Sequence, residues 1–288
     1  MKVWCIALAF ALAAPGVAAA KDREPEVLTR SGKWLVNYDR DGCQLWAQFG
    51  SEDKMVVARF TRYQPGDGFD FSLYGKRLRA LDYKGSATID FGLKGAPADT
   101  SYFSGSAGKL PAVFFRGSRL DGWESQSETE VPPAITPEQE ASVKGVTVAI
   151  PGQRPFRLEF GSLGKPLEHM RHCTDTLVES WGYDPRVQSN LLRRASALTS
   201  PAKWFSPNDY PIGAVRAGQS GIVQFRIDVD PDGSIAGCHV LARTSPDTFA
   251  DATCRAVKRR ATVQPALDAQ GRPVRSYLVL KTVWQIES

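Results

Sequence analysis

The chain has 288 residues, 42% hydrophobic and 23% charged, with a formal net charge of +5. That length suits two domains, and that balance belongs to a globular chain and excludes a disordered or fibrous one. Lys and Arg are scattered except at Lys258-Arg259-Arg260, which reads as the solvated face of a helix. A nucleic-acid surface gathers basic residues among aromatics, so no nucleic-acid partner is expected.

The N-terminus has the layout of a secretory signal peptide over residues 1–20. Met1-Lys2 is a positive start, Trp4 to Val17 is apolar apart from Pro15-Gly16, and Ala18-Ala19-Ala20 precedes Lys21-Asp22-Arg23. The apolar run is shorter than the roughly 20 residues of a spanning helix. Cleavage and export are expected; uncleaved, the same segment would be an anchor. Cys5 lies inside it, leaving Cys43, Cys173, Cys238 and Cys254 for disulfides in three conceivable connectivities. None forms a C-x-x-C pair, so neither a zinc site nor a thioredoxin-type site is expected.

Residues 21–32 read as a mobile start to the mature chain. From Lys33 to Lys76, short apolar-alternating runs recur at Trp34 to Val36, Cys43 to Phe49, Met55 to Tyr63 and Phe69 to Tyr74. Arg40-Asp41-Gly42 and Pro65-Gly66-Asp67-Gly68 separate them, the spacing of an antiparallel all-β unit. Ala87 to Phe91, Ala112 to Arg116, Val146 to Ile150 and Phe156 to Phe160 add strands, and Asp121 to Pro133 is an acidic loop. Thr136-Pro137-Glu138-Gln139-Glu140 opens a helix.

Leu163 to Trp181 is helical in pattern, with Leu167, Met170, Cys173, Thr174 and Leu177 on one apolar face. Cys173 on that face can reach Cys43. Residues 33–181 therefore read as a β-rich, antiparallel domain, sandwich-like or a curled sheet, capped by a helix. Residues 182–207, punctuated by Gly182, Pro185, Ser200, Pro201 and Pro207, read as a linker in which Leu191 to Arg194 form one helical turn.

Residues 208–288 read as an α+β unit of order ββαβ. After Gly221, the apolar residues Val223, Phe225, Ile227 and Val229 alternate with Gln224, Arg226 and Asp228, the mark of a half-buried strand. Asp230-Pro231-Asp232-Gly233 is a turn. A short strand carries Cys238 and Val240. A helix follows over Asp247 to Ala261, capped by Ser245 with Pro246 at its first position. Cys254 lies on that helix, and local closure favours its pairing with Cys238. The last strand, Arg275 to Ile286, is apolar on both faces. Leu278, Leu280, Trp284 and Ile286 lie on one, and Tyr277, Val279 and Val283 on the other. Such a strand near a chain end is a candidate pairing surface.

Tyr210-Pro211, Ala214, Gly218, Gly221-x-Val223, Phe225, Val229, Gly233, Val240, Ala252, Pro265-Ala266, Gly271 and Pro273 resemble, in order and spacing, the C-terminal domain of TonB energy transducers, over about residues 205–288. The resemblance implies a periplasmic protein of TonB-dependent transmembrane transport. Its partners would be an outer-membrane receptor, met through the receptor's TonB box, and the inner-membrane proteins ExbB and ExbD. The box would add as a strand beside the last strand, so Tyr277, Val279, Lys281 and Val283 become candidate partner contacts. Tyr210, Pro211, Gly221, Gly233, Pro265 and Ala266 are the family-motif positions. Three departures stand out: residues 1–20 hold no His, a β-rich unit replaces the family's long Pro- and charge-rich spacer, and cleavage of the signal would remove the anchor from which a transducer pulls. The alternative is a structural or cell-wall-binding envelope protein with the same fold and no energy coupling.

Chemistry-bearing motifs are weak. Asp228-x-Asp230-x-Asp232-Gly233 matches half an EF-hand loop, but strands flank it and His239 stands at position twelve, so a structural turn is expected. Asp99-Thr100-Ser101 departs from the aspartic-protease triplet at its third residue and has no second copy. His169-x-x-His172 has no third ligand nearby. No nucleophile elbow is present, and no glycine loop that would cradle phosphate. No catalytic residue, cofactor, metal or small-molecule substrate is expected.

Overall fold

The structure is a computed structural model that describes residues 24–79, 81–93, 98–124, 130, 132–244 and 247–286. The expected signal peptide, the Ser245 cap with Pro246, and part of the acidic loop lie outside the described residues.

The first unit is built on ten strands. These are β1 (Glu26–Thr29), β2 (Leu35–Asp39), β3 (Gly42–Phe49), β4 (Val56–Arg62), β5 (Phe69–Tyr74), β6 (Lys84–Asp90), β7 (Ala98–Ala107), β8 (Leu110–Ser118), β9 (Gly145–Ala149) and β10 (Phe156–Glu159). They form one sheet in the order β1-β10-β9-β6-β7-β8-β5-β4-β3-β2. The sheet curls until β1 meets β3, where Arg30 bridges Phe49 and the Ser31 N–H donates to the Gln48 carbonyl at 2.8 Å. Of the two arrangements expected from strand spacing, a sandwich or a curled sheet, the unit takes the second: one curled sheet. All pairings are antiparallel except β1 with β10, which is parallel.

Two strands escaped the sequence reading. β1 lies in the stretch expected to be mobile, where a single buried residue, Leu28, gives too little pattern to detect. β7 carries Ser, Thr and Gly between its aromatic residues, which masks its alternation. Elsewhere alternation and burial agree: Cys43, Leu45, Ala47 and Phe49 of β3 face the core. Phe60 of β4 is the hub, with the rings of Trp34, Phe69, Phe71 and Phe160 at 4.9–5.8 Å.

A short helix α1 (Pro137–Ser142) starts on the Thr136 capping box. Helix α2 (Gly164–Ser180) buries Leu167, Met170, Cys173, Thr174, Leu177 and Val178 against β2 and β3. Cys173 is joined to Cys43.

The segment expected as a linker is folded. It holds α3 (Pro185–Ser189), capped by the Asp184 side chain, and β11 (Ser196–Ala197), and it buries Trp204. The helical turn expected at residues 191–194 is not formed; the backbone there runs on toward β11, with Arg193 bridging Leu267. The second unit continues with α4 (Ile212–Arg216), β12 (Gly221–Val229), β13 (Ile235–Arg243), α5 (Thr248–Arg260), β14 (Val263–Gln264), β15 (Ala266–Leu267), β16 (Pro273–Val274) and β17 (Ser276–Trp284). Its main sheet has the order β13-β12-β17, and β11 pairs with β14. Helix α5 covers the face formed by Val223, Phe225 and Ile227, and Cys254 is joined to Cys238.

Gln224, Arg226 and Asp228 were expected on a solvent face. All three are buried, at 8%, 6% and 5% exposure, because the first unit covers that side of the sheet. Arg259 and Arg260, expected on a solvated helix face, both reach the Asp209 carboxylate and so tie residues 204–210 to α5.

The two disulfides close loops of very different length, at sequence separations of 130 and 16. If each acts by restricting the unfolded chain, Cys43→Ala/Cys173→Ala is expected to cost about 5 kcal/mol and Cys238→Ala/Cys254→Ala about 3 kcal/mol. Guanidinium unfolding of the two variants measures both, and equal losses would contradict the loop-length account.

Candidate functional site

β17 is an edge strand. It pairs along its whole length with β12, from Gly221 opposite Trp284 to Val229 opposite Ser276, and no strand among the described residues pairs with its other side. An edge strand offers a row of backbone donors and acceptors to any extended chain that reaches it. At about 3.4 Å per residue, nine residues present an edge of roughly 30 Å.

Two cavities lie along this edge. One of about 150 Å³ is bounded by Ser276 to Val279 and by Gln64, Gln188, Leu191 and Arg194. The other, of about 200 Å³, is bounded by Thr282 to Gln285 and by Phe205, Pro207 and Tyr210. The outer wall of both comes largely from residues 188–207, within the segment that reads as a linker, together with Tyr210. Its polarity and prolines hide this role, and only the aromatic pair Trp204-Phe205 hints at packing.

The strand is held firmly at its start. Gln188 donates to the Arg275 carbonyl at 3.1 Å and accepts from Ser276 Oγ at 2.6 Å. The Tyr183 hydroxyl lies 2.8 Å from Asp228 Oδ1 and 3.0 Å from the Ser276 carbonyl. Burial first, then the hydrogen bond and charge of Asp228, push the Tyr183 phenol well above its ordinary range. Asp228 also receives Arg226 at 3.0 Å and His239 at 2.8 Å, and Arg226 lies 4.4 Å from the Trp181 ring centroid. The half-EF-hand residues are thereby accounted for. Asp228 serves this cluster, while the Gly233 N–H donates to the Asp230 carbonyl and the Ser234 N–H to the Asp232 side chain in a hairpin turn. Among the described residues no cluster of three His, Cys, Asp or Glu is placed to hold a metal.

The four residues expected as partner contacts do not act alike. The Tyr277 ring packs against Trp181 and Tyr183 at 5.1 and 5.2 Å, and burial pushes its phenol up to about 12. Val279 joins that cluster. Lys281 reaches across to the first unit, with Nζ 2.7 Å from both carboxylate oxygens of Asp70. Burial lowers the pKa of its ammonium group even against the attraction of Asp70. Val283 alone stays open, at 41% exposure. These side chains are directed largely to the first unit, so the backbone edge is what remains for a partner.

Residues 206–286 match the family model of the Gram-negative bacterial TonB protein C-terminal. This part of the chain is a TonB C-terminal domain. Comparison of the chain with curated proteins and with solved structures returns no match. Proteins with this domain belong to the Gram-negative envelope and to TonB-dependent transport, and no helix among the described residues is long and apolar enough to cross a membrane.

The motif positions of the TonB domain have physical reasons. Tyr210 packs edge-on against Phe249 and Trp284 and donates to the Gln219 carbonyl at 2.5 Å. Pro211 precedes α4, and its carbonyl accepts the Ala214 and Val215 N–H groups. A Cβ at Gly221 would stand 2.6 Å from the Phe249 ring. Gly233 has φ +86°, and a Cβ there would stand 2.9 Å from the Val263 carbonyl oxygen. Ala266, after Pro265, is fully buried at the start of β15.

Two outcomes test this packing. Gly221→Ala is expected to cost about 1–3 kcal/mol by overpacking against Phe249, read by thermal or denaturant unfolding. Asp70→Ala strands the Lys281 ammonium between the units and is expected to cost about 2–3 kcal/mol. Asp70→Ala combined with Lys281→Met is expected to recover most of that loss, because an apolar pair needs no desolvated charge. A double variant as unstable as Asp70→Ala would show that the ion pair is not what joins the two surfaces.

Proposed function

We propose that this chain is a docking protein of TonB-dependent transport. In this reading it receives an extended receptor segment, the TonB box, by strand addition along the outer side of β17. The observation that carries the reading is the unpaired edge of β17 in a TonB domain, flanked at both ends by cavities that can take alternate side chains. Strand addition needs no catalytic group, and the reading is of a non-enzymatic protein. Export to the periplasm belongs to it through the signal-peptide layout of residues 1–20. Engagement of ExbB and ExbD, and with it energy transduction in the full sense, follows only where that segment stays uncleaved as an anchor.

The covered sheet face sharpens the proposal. With Tyr277, Val279 and Lys281 packed on the first unit, affinity comes from main-chain hydrogen bonds and specificity from the two cavities. Amide hydrogen exchange on the full mature chain, with and without a synthetic TonB-box peptide, tests this. In the free protein every second amide of residues 276–284 is expected to exchange fast, and those same amides are expected to slow at least about tenfold when peptide is present. Peptide binding that leaves the β17 amides unchanged would overturn the proposal.

A further inference from the structure

A second concave site lies on the other side of Lys281, between the outer face of the curled sheet and the TonB sheet. It encloses about 450 Å³, within the usual range of small-ligand sites, roughly 300–1,000 Å³. Strands β4, β5, β7 and β8 form its floor, and β12, the end of β13 and β17 form its roof. It is separate from the docking edge: it opens on the sheet face and shares with the edge only the strand β17.

Its charge is unbalanced. Of its four cations, Lys281 is neutralised by Asp70 and Arg243 is paired with Asp247. Arg59 and Arg116 have no carboxylate within ion-pairing distance among the described residues. The Arg59 Nε is buried without a hydrogen-bond partner, and a buried unpaired donor is costly. The guanidinium groups are held in place by rings, Arg59 4.9 Å from the Tyr74 centroid and Arg116 4.4 Å from that of Phe103. Burial lowers the pKa of Arg116, more than the neighbouring Asp70 restores it. Two guanidinium groups lining one partly dry space suit an oxyanion, a carboxylate or a phosphate.

The rest of the lining is aromatic and hydroxylic. Tyr83 and Phe103 meet edge to face at 5.8 Å and form an apolar wall, with Tyr83 58% exposed. Ser72 and Ser106 from the floor, and Thr244 and the Gln224 amide from the roof, supply uncharged hydrogen-bonding groups. An aromatic wall for the flat face of a ring, hydroxyls for its substituents, and two arginines for a single acid group match one chemical class. We infer that the cleft between the two units binds a small acidic saccharide, with Arg59 and Arg116 holding its acid group and Tyr83 and Phe103 its ring face.

The acid group could come from a carboxylated sugar or from a phosphorylated one, and the probes separate these sources. Titration of the full mature chain with N-acetylmuramic acid, N-acetylglucosamine and glucose 6-phosphate, followed by calorimetry or NMR shifts, tests the assignment. An acidic sugar is expected to bind at least about tenfold more tightly than neutral N-acetylglucosamine, and whichever acid binds better names the source. Arg59→Gln and Arg116→Gln are each expected to weaken that binding about tenfold or more. Ser106→Trp, at an exposed rim position, is expected to block it without touching either arginine. Equal binding of the neutral sugar, no binding of either acid at millimolar concentration, or full binding by all three variants would overturn the inference. Because the TonB-box exchange experiment reads β17 amides, failure here leaves the docking proposal standing, and the reverse also holds.

Discussion

The structure depends on how one buried charge is satisfied. Asp228 sits at 5% exposure on the face of the TonB sheet that turns toward the first unit. An isolated carboxylate there would be too costly to keep. Arg226, His239 and the Tyr183 hydroxyl surround it, and Arg226 is in turn covered by Trp181. Trp181 and Tyr183 follow directly on α2, so the same few residues that satisfy Asp228 also deliver the end of the first unit onto the second. Burying the charge and joining the units are one event.

That junction determines the setting of β17. Tyr277 and Val279 fill the apolar part of the contact and Lys281 the polar part, through Asp70. The Cys43–Cys173 link fixes α2 to β3, and α2 carries Trp181 and Tyr183. The chain between α2 and α4 then walls the cavities at the two ends of β17 and is secured to α5 by the Asp209 contacts of Arg259 and Arg260. Burial opposes the ionisation of Asp209, but the bonds from Ser206 and the two arginines prevail and hold its carboxyl below the usual range. The result is a strand with one face against a helix, the other against a second sheet, and only its outer backbone edge approachable.

Two surfaces with different chemistry therefore lie on either side of one strand. The edge offers backbone hydrogen bonds and is indifferent to most side chains. The cleft under Arg59 and Arg116 offers charge and rings and is indifferent to backbone. Because Lys281 is committed to Asp70, it contributes net charge to neither.

Much of this was legible from local patterns. Alternation located β3, β4, β5 and β12, the 3–4 spacing of Leu167, Met170, Cys173 and Leu177 located α2, and Gly233 located the hairpin turn, because each reports a local constraint on backbone or burial. β1 and β7 were hidden because their membership in the sheet rests on partners far away in sequence, not on their own alternation. The linker reading failed for a related reason: prolines and glycines mark where regular structure stops, not where the chain ceases to pack. The sequence by itself determined the secondary elements that carry their own alternation or 3–4 spacing, the cysteine inventory and the TonB character of residues 206–286, all carried by short-range spacing. Only the tertiary structure decided that Gln224, Arg226 and Asp228 are buried. A polar residue on an alternating strand looks the same whether water or a second sheet lies above it, and only the docking of the two units supplies the partners that make its burial tolerable.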